Sequence, residues 1–190
     1  MPGLKFRVLL DSEKNEEIFR DILIADSDNF ESLYHAIIKS FNFKGDQMAS
    51  FYVSNDDWDK GHEISLMDMS YDDDSIDSPS AVMKSAIIKD FLEEPDQKFI
   101  LVYDFMRMWI FLIELIGFDR NDPSTPETIL SVGNAPREES REEIDEQLFV
   151  GEELDDEEED EFGLNDFDDD YSYYCYQLMT TRTMMAIRIS

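Results

Sequence analysis

Residues 4–10, LKFRVLL, and 18–24, IFRDILI, mix alternation with β-branched and other apolar side chains, and the polar run DSEKNEE separates them. The pattern predicts a β-hairpin with a long polar turn. In DSDNFESLYHAIIKSF the period changes. Phe30, Leu33, Tyr34, Ile37, Ile38 and Phe41 recur every three or four residues, which places them on one face of an α-helix. Asp28 with Glu31 three residues on predicts a capping-box start, and Gly45 marks the exit. MASFYVS (48–54) then reads as a strand, NDDWDKG as a turn and HEISL (62–66) as the returning strand, followed by the acidic loop DMSYDDDSIDSPS (68–80). AVMKSAIIKDFLEE (81–94) has Met83, Ile87 and Phe91 at helical spacing, although Ile87-Ile88 leaves a strand reading open. Pro95 ends the element either way.

FILVYDFMRMWIFLIELIGF (99–118) is long and apolar enough to raise the question of a membrane span. A spanning helix would place Asp104, Arg107 and Glu114 in hydrocarbon, at several kcal/mol, without a flanking basic cluster. A water-soluble helix fits poorly too, because no polar stripe emerges. Split at DFMRM, the halves FILVY and WIFLIELI carry the β-branched and aromatic residues that strands favour, with Asp104 and Arg107 at the turn. Their near-continuous apolar character predicts a buried hairpin of central strands, covered on both faces. The fold expected is α+β: a mixed sheet in the order ββα-ββ-(α)-ββ packed on one main helix, β-grasp-like by analogy, over residues 1–120.

Beyond the hairpin the chain changes character. Residues 121–170 begin with two prolines in DRNDPSTPET and continue into an acid-rich stretch. Residues 138–170 hold 19 Asp and Glu against one Arg, a net of −18, within a chain whose formal net charge is −30. Such a stretch buries too little to order itself, and a mainly disordered acidic tail is expected, with a short helix allowed at 138–149. Glu152, Glu153, Asp155, Asp156, Glu157, Glu158, Glu159, Asp160 and Glu161 form its densest part. The end, YSYYCYQLMTTRTMMAIRIS (171–190), is rich in aromatics and methionine and free of acids; it reads as a last strand or as a disordered end.

The acidic balance disfavours direct binding to nucleic acid or an anionic membrane, since each phosphate contact needs a local cation. It points to cations, basic protein surfaces or proteins that normally hold DNA. Cys175 is the sole cysteine, so no intrachain disulfide can form, and a reducing cytoplasm is expected. The start, MPGLKFRVLLDSEKNEE, lacks the apolar core of a secretory signal.

LYHAIIKSFNF in the helix and its exit, Ser50-Phe51, Tyr103-Asp104-Phe105, Trp109 and Glu114 resemble the pRiA-plasmid ORF-three-like family. The likeness spans roughly residues 4–120, with a further match at SVGNAPRE (131–138). Family members are labelled insertion-element passenger proteins or resolvases, without a demonstrated activity. The family's hairpin runs Tyr-Asp-Phe-Gly-Asp, then Trp, then a His two positions on. Here Met106 and Arg107 replace the Gly-Asp, and Phe111 stands in place of the His. Any chemistry carried by that Asp and His would be lost from this chain.

Few residues invite a chemical role. His35 reads as a boundary histidine, with His62 far away on another element. Asp104 reads as a turn cap before a catalytic acid. DDDSID (72–77) and NDFDDD (165–170) lack the Gly and Glu of an EF-hand loop, and Cys175 lies in a field of the wrong sign for a reactive thiolate. No metal or cofactor is expected, and no catalytic residue is assigned. Trp109 reads as core. Trp58, between Asp56, Asp57 and Asp59, reads as an interaction residue, as do Asp104 and Arg107 at the hairpin turn. The function expected is a non-catalytic, cytoplasmic interaction module whose acidic tail engages a basic protein surface. The alternative is a DNA mimic or accessory protein of a mobile element acting on a DNA-binding protein, and an enzyme is a third reading.

Overall fold

The computed structural model describes residues 3–12, 17–67, 81–120 and 123–142. The chain divides into two units, Met1–Ile144 and Asp145–Ser190, and every described residue belongs to the first. Eight strands, β1 (Gly3–Leu10), β2 (Phe19–Ala25), β3 (Ala49–Ser54), β4 (Lys60–Ser65), β5 (Ala81–Val82), β6 (Lys98–Tyr103), β7 (Trp109–Asp119) and β8 (Glu127–Val132), form one sheet. Its order is β5-β4-β3-β6-β7-β1-β2-β8. All pairs are antiparallel except β4 with β5, which makes the sheet mixed. The α-helix among the described residues, α1 (Phe30–Ser40), lies on one face.

The predicted hairpins form. β1 returns as β2 with Phe6 opposite Ile22, β3 pairs with β4, and the ribbon 99–118 is β6 and β7 joined at residues 104–108, with Leu101 opposite Phe111. No described helix is long and apolar enough to cross a membrane. β6 and β7 are the two middle strands, and the reason is visible in their burial. Phe99, Leu101, Tyr103, Trp109, Phe111 and Ile113 turn to the helix face, while Ile100, Val102 and Ile110 are buried on the other. The helix contributes Phe30, Leu33, Tyr34 and Ile37 to the same core. Phe30 stands edge-on to Phe51, Phe91 and Phe99, with ring centroids 5.1, 5.4 and 5.2 Å apart. Each such pair stabilises by about 0.5–1.5 kcal/mol beyond the area it buries.

Three sequence expectations are corrected. The helix is capped by Asn29, whose side-chain oxygen accepts from the Ser32 amide at 2.9 Å, and not by Asp28. Residues 81–94 form neither an α-helix nor a long strand; they give two-residue β5 and a 3-10 turn at Ile88–Phe91. Their backbone is committed elsewhere. The first amides of α1 have no partner inside the helix, and here Phe30 donates to the Ala86 carbonyl and Glu31 to that of Met83, while Ile88 donates back to Asp28. Thirdly, the ordered fold does not end at residue 120. β8 adds an eighth strand beside β2, and a following segment, residues 133–142, crosses one end of the sheet. The β-grasp analogy therefore extends only to one helix packed on one face of a mixed sheet.

Candidate functional site

The C-terminal end of β6, the N-terminal ends of β3 and β7 and the exit of α1 meet at one end of the sheet. The β6–β7 turn closes there on Asp104. This residue takes a left-handed conformation (φ 55°), as does Met108 (φ 51°), which is uncommon for a side chain with a Cβ. Asp104 compensates with bonds. Its Oδ1 accepts from the amides of Met106 and Arg107 at 3.1 and 3.2 Å, its Oδ2 from the Arg107 guanidinium at 3.1 Å, and its amide donates to Met48. The carboxylate is 2% exposed and fully occupied by its own turn. Asp104 thus caps the hairpin, and the part-exposed Arg107 side chain pairs with it. The exposed residue at this turn is Met106.

Beside the turn sits a carboxylate that sequence reasoning left in the acidic tail. Glu138 is 8% exposed. Its Oε1 accepts from the Tyr103 hydroxyl at 2.7 Å, its Oε2 from the Lys44 amide at 2.7 Å, and its backbone carbonyl from the Trp109 indole at 3.2 Å. The Tyr103 oxygen in turn accepts from the Gly45 amide at 3.1 Å. Gly45 has φ 73°, the left-handed turn that lets the chain leaving α1 aim these amides at the site. Burial, then the bond to Glu138, raises Tyr103 well above the usual phenol range. Tyr34 lies next to Tyr103, its hydroxyl buried without a hydrogen-bond partner among the described residues. Burial, with a smaller contribution from Glu138 and Asp46, pushes its pKa up to about 12.

Two neighbours fasten the same segment. Lys44 pairs with Glu139, and Arg141 bonds the Met108 carbonyl, lies 5.0 Å over the Trp109 ring and reaches Asp11 at 3.6 Å. The cluster consists of a buried carboxylate held by neutral donors, two phenols and an indole. Its geometry binds residues 137–141 across the sheet end. A short signal for it existed in SVGNAPRE, but the acids around Glu138 hid its burial.

The Trp58 loop lies at the far end of β3. Asn55 organises it, its Oδ1 accepting from the amides of Asp57 and Asp59 at 3.0 Å each and its Nδ2 donating to Asp59. This winds Trp58 into φ 61° and leaves the indole half-buried, with the Lys98 ammonium 5.8 Å over its ring. Lys98 also pairs with exposed Asp56. Asp56, Asp57 and Asp59 are exposed around the half-buried Trp58.

His35 and His62 are exposed on separate elements, and His62 stacks on Phe91. No group of three or more His, Cys, Asp or Glu side chains is placed to hold a metal ion among the described residues. DDDSID (72–77), NDFDDD (165–170), Cys175 and the acidic residues Glu152, Glu153, Asp155, Asp156, Glu157, Glu158, Glu159, Asp160 and Glu161 lie outside them.

Comparison with known proteins yields a fold and a family. The crystal structure of a protein of unknown function, MM3350 from Methanosarcina mazei Go1, superposes with a TM-score of 0.61 at 18% identity, over 84% of this chain and 94% of that one. At that identity the likeness speaks for the fold. None of the curated proteins matches the chain. The family described as plasmid pRiA4b ORF-3-like protein matches residues 2–173, taking in the sheet, α1, the Asp104 turn and the Glu138 segment together. That match covers most of the 190 residues, and the chain belongs to the plasmid pRiA4b ORF-3-like family.

Proposed function

We propose that this protein is a cytoplasmic, non-catalytic interaction module whose acid-rich stretch engages a basic protein surface. The observation that carries the reading is the charge density of residues 138–170, a net of −18 in 33 residues. A field of that sign accelerates encounter with a cationic partner and loses its effect as salt screens it. On the folded unit, the Trp58 ring and Asp56 already hold a cation, the chain's own Lys98, and a lysine or arginine of a basic partner would compete for the same place.

The test uses the full-length chain and a variant in which the acids from Glu152 to Glu161 are replaced by their amides. Immobilised wild type captures basic proteins at low salt. The amide variant fails to, and about 0.5 M salt, where the Debye length falls to a few Å, releases them. Capture that survives both changes overturns the reading. A second reading is favoured by the plasmid character of the family together with the polyanionic stretch: the protein mimics DNA toward a DNA-binding protein. Competition by added duplex for the captured proteins marks that case.

A further inference from the structure

β8 is the long strand of the sheet with an open side. It stands at one margin and pairs with β2 alone among the described residues, whereas the opposite margin, β5, is two residues long. Glu127 to Ser131 are all exposed, and Ile129 and Leu130 are 47% and 44% exposed. Its sequence, ETILSV, carries one charge at Glu127, and no further charged residue follows until Arg137, although the chain as a whole is −30. An unpaired strand edge with apolar side chains is a template for another strand.

We propose that β8 docks a second copy of this chain, strand antiparallel to strand, about a twofold axis between Ile129 and Leu130. In that register Glu127 faces Val132 of the second copy, Thr128 faces Ser131 and Ile129 faces Leu130. No like charges meet, the hydroxyls pair, and the two exposed apolar side chains cover each other. A cationic strand would find a single carboxylate here, so the pattern matches itself better than it matches a basic partner. The run is framed by Pro126, which has no N–H, and by Gly133, whose φ of 72° turns the chain away. The ladder therefore ends after six residues, and the twofold closes it. A register shift in the β2–β8 pairing leaves Ile129 as an extra residue. This bulge falls beside the axis, where both copies add right-handed twist at the same point. A six-residue ladder is small beside the roughly 800 Å² per partner of a standard interface, so the dimer is weak. It is opposed by repulsion between two acidic chains, and screening makes it grow with salt, the reverse of binding to a basic partner.

Sedimentation velocity of the full-length protein over a concentration series, at about 0.05 and about 0.5 M salt, reads the association. A dimer fraction that rises with concentration and salt is expected, and Ile129→Lys/Leu130→Lys, checked for fold by circular dichroism, is expected to remain monomeric. The register is read separately in a Cys175→Ser background. Thr128→Cys/Ser131→Cys cross-links into a covalent dimer with diamide as oxidant, and Thr128→Cys alone does not. A native protein that stays monomeric throughout, a dimer that survives the double lysine variant, or equal cross-linking by the single cysteine overturns the proposal.

Discussion

Glu138 is the residue on which the sheet end turns. Replacing it with Ala takes the acceptor from the buried Tyr103 hydroxyl and from the part-buried Lys44 amide and leaves a void beside them. Hydrogen bonds to a charged group contribute about 1.5–3 kcal/mol each, so Glu138→Ala is expected to lower the urea midpoint markedly. Glu138→Gln, which keeps an acceptor, is expected to cost less. The two phenols predict a pH effect with a definite sign. Their folded pKa values lie above the ordinary 10.0, so the unfolded chain releases these protons first. Stability from them is complete below about pH 10 and falls as pH rises beyond it. Thermal unfolding between about pH 8 and 11 checks this, and Tyr34→Phe should flatten the alkaline limb. Neither role was legible in the sequence. A carboxylate within a run of like charges carries no sign of burial, and only the partners brought from Tyr103, Trp109 and the α1 exit reveal it. Asp104 was legible as a turn cap, because an Asp before a reversal has amides within its own reach.

At the scale of elements, pattern revealed what is buried and missed what is not. The β6–β7 ribbon, the β1–β2 hairpin and α1 show periodicity because each offers a face to the core. β8 is exposed along almost its whole length, so nothing imposed alternation on it. It is held by an arginine. Arg20 on β2 is 5% exposed and spends its guanidinium on carbonyls of Ser40, Phe19, Val132 and Gly133, lying 4.7 Å over the Phe41 ring. One side chain thereby ties the end of α1 to the end of β8, at the cost of burial that lowers its own pKa. Arg20→Met is expected to speed amide hydrogen exchange in β8 first, before the central strands respond. Gly133 is the second fastening. A Cβ there would stand 2.7 Å from the Glu17 carbonyl oxygen in a left-handed conformation. Gly133→Ala should cost about 1–3 kcal/mol, read from chemical denaturation. Residues 81–94 were misread for a different reason: their helical spacing is real, but α1 needs their carbonyls.

For the whole molecule, charge and architecture point in opposite directions along the chain. The sheet centre is apolar on both faces, while residues 138–170 carry most of the negative excess. Salt therefore separates the two proposed associations, weakening attraction to a cationic surface and strengthening edge pairing between copies. The crossing segment also sets where the chain may be cut. A fragment ending at residue 128 would lose most of β8, two of the four carbonyl acceptors of Arg20 and the cover over Trp109, and its failure to bind would report damage to the scaffold. Scissors placed after Glu142 spare every one of these tethers, because the last of them is anchored by Arg141. Polyanion and scaffold thus share a few residues of common ground, and trimming one cleanly from the other means leaving Glu138, an acid by composition, with the fold it helps to seal.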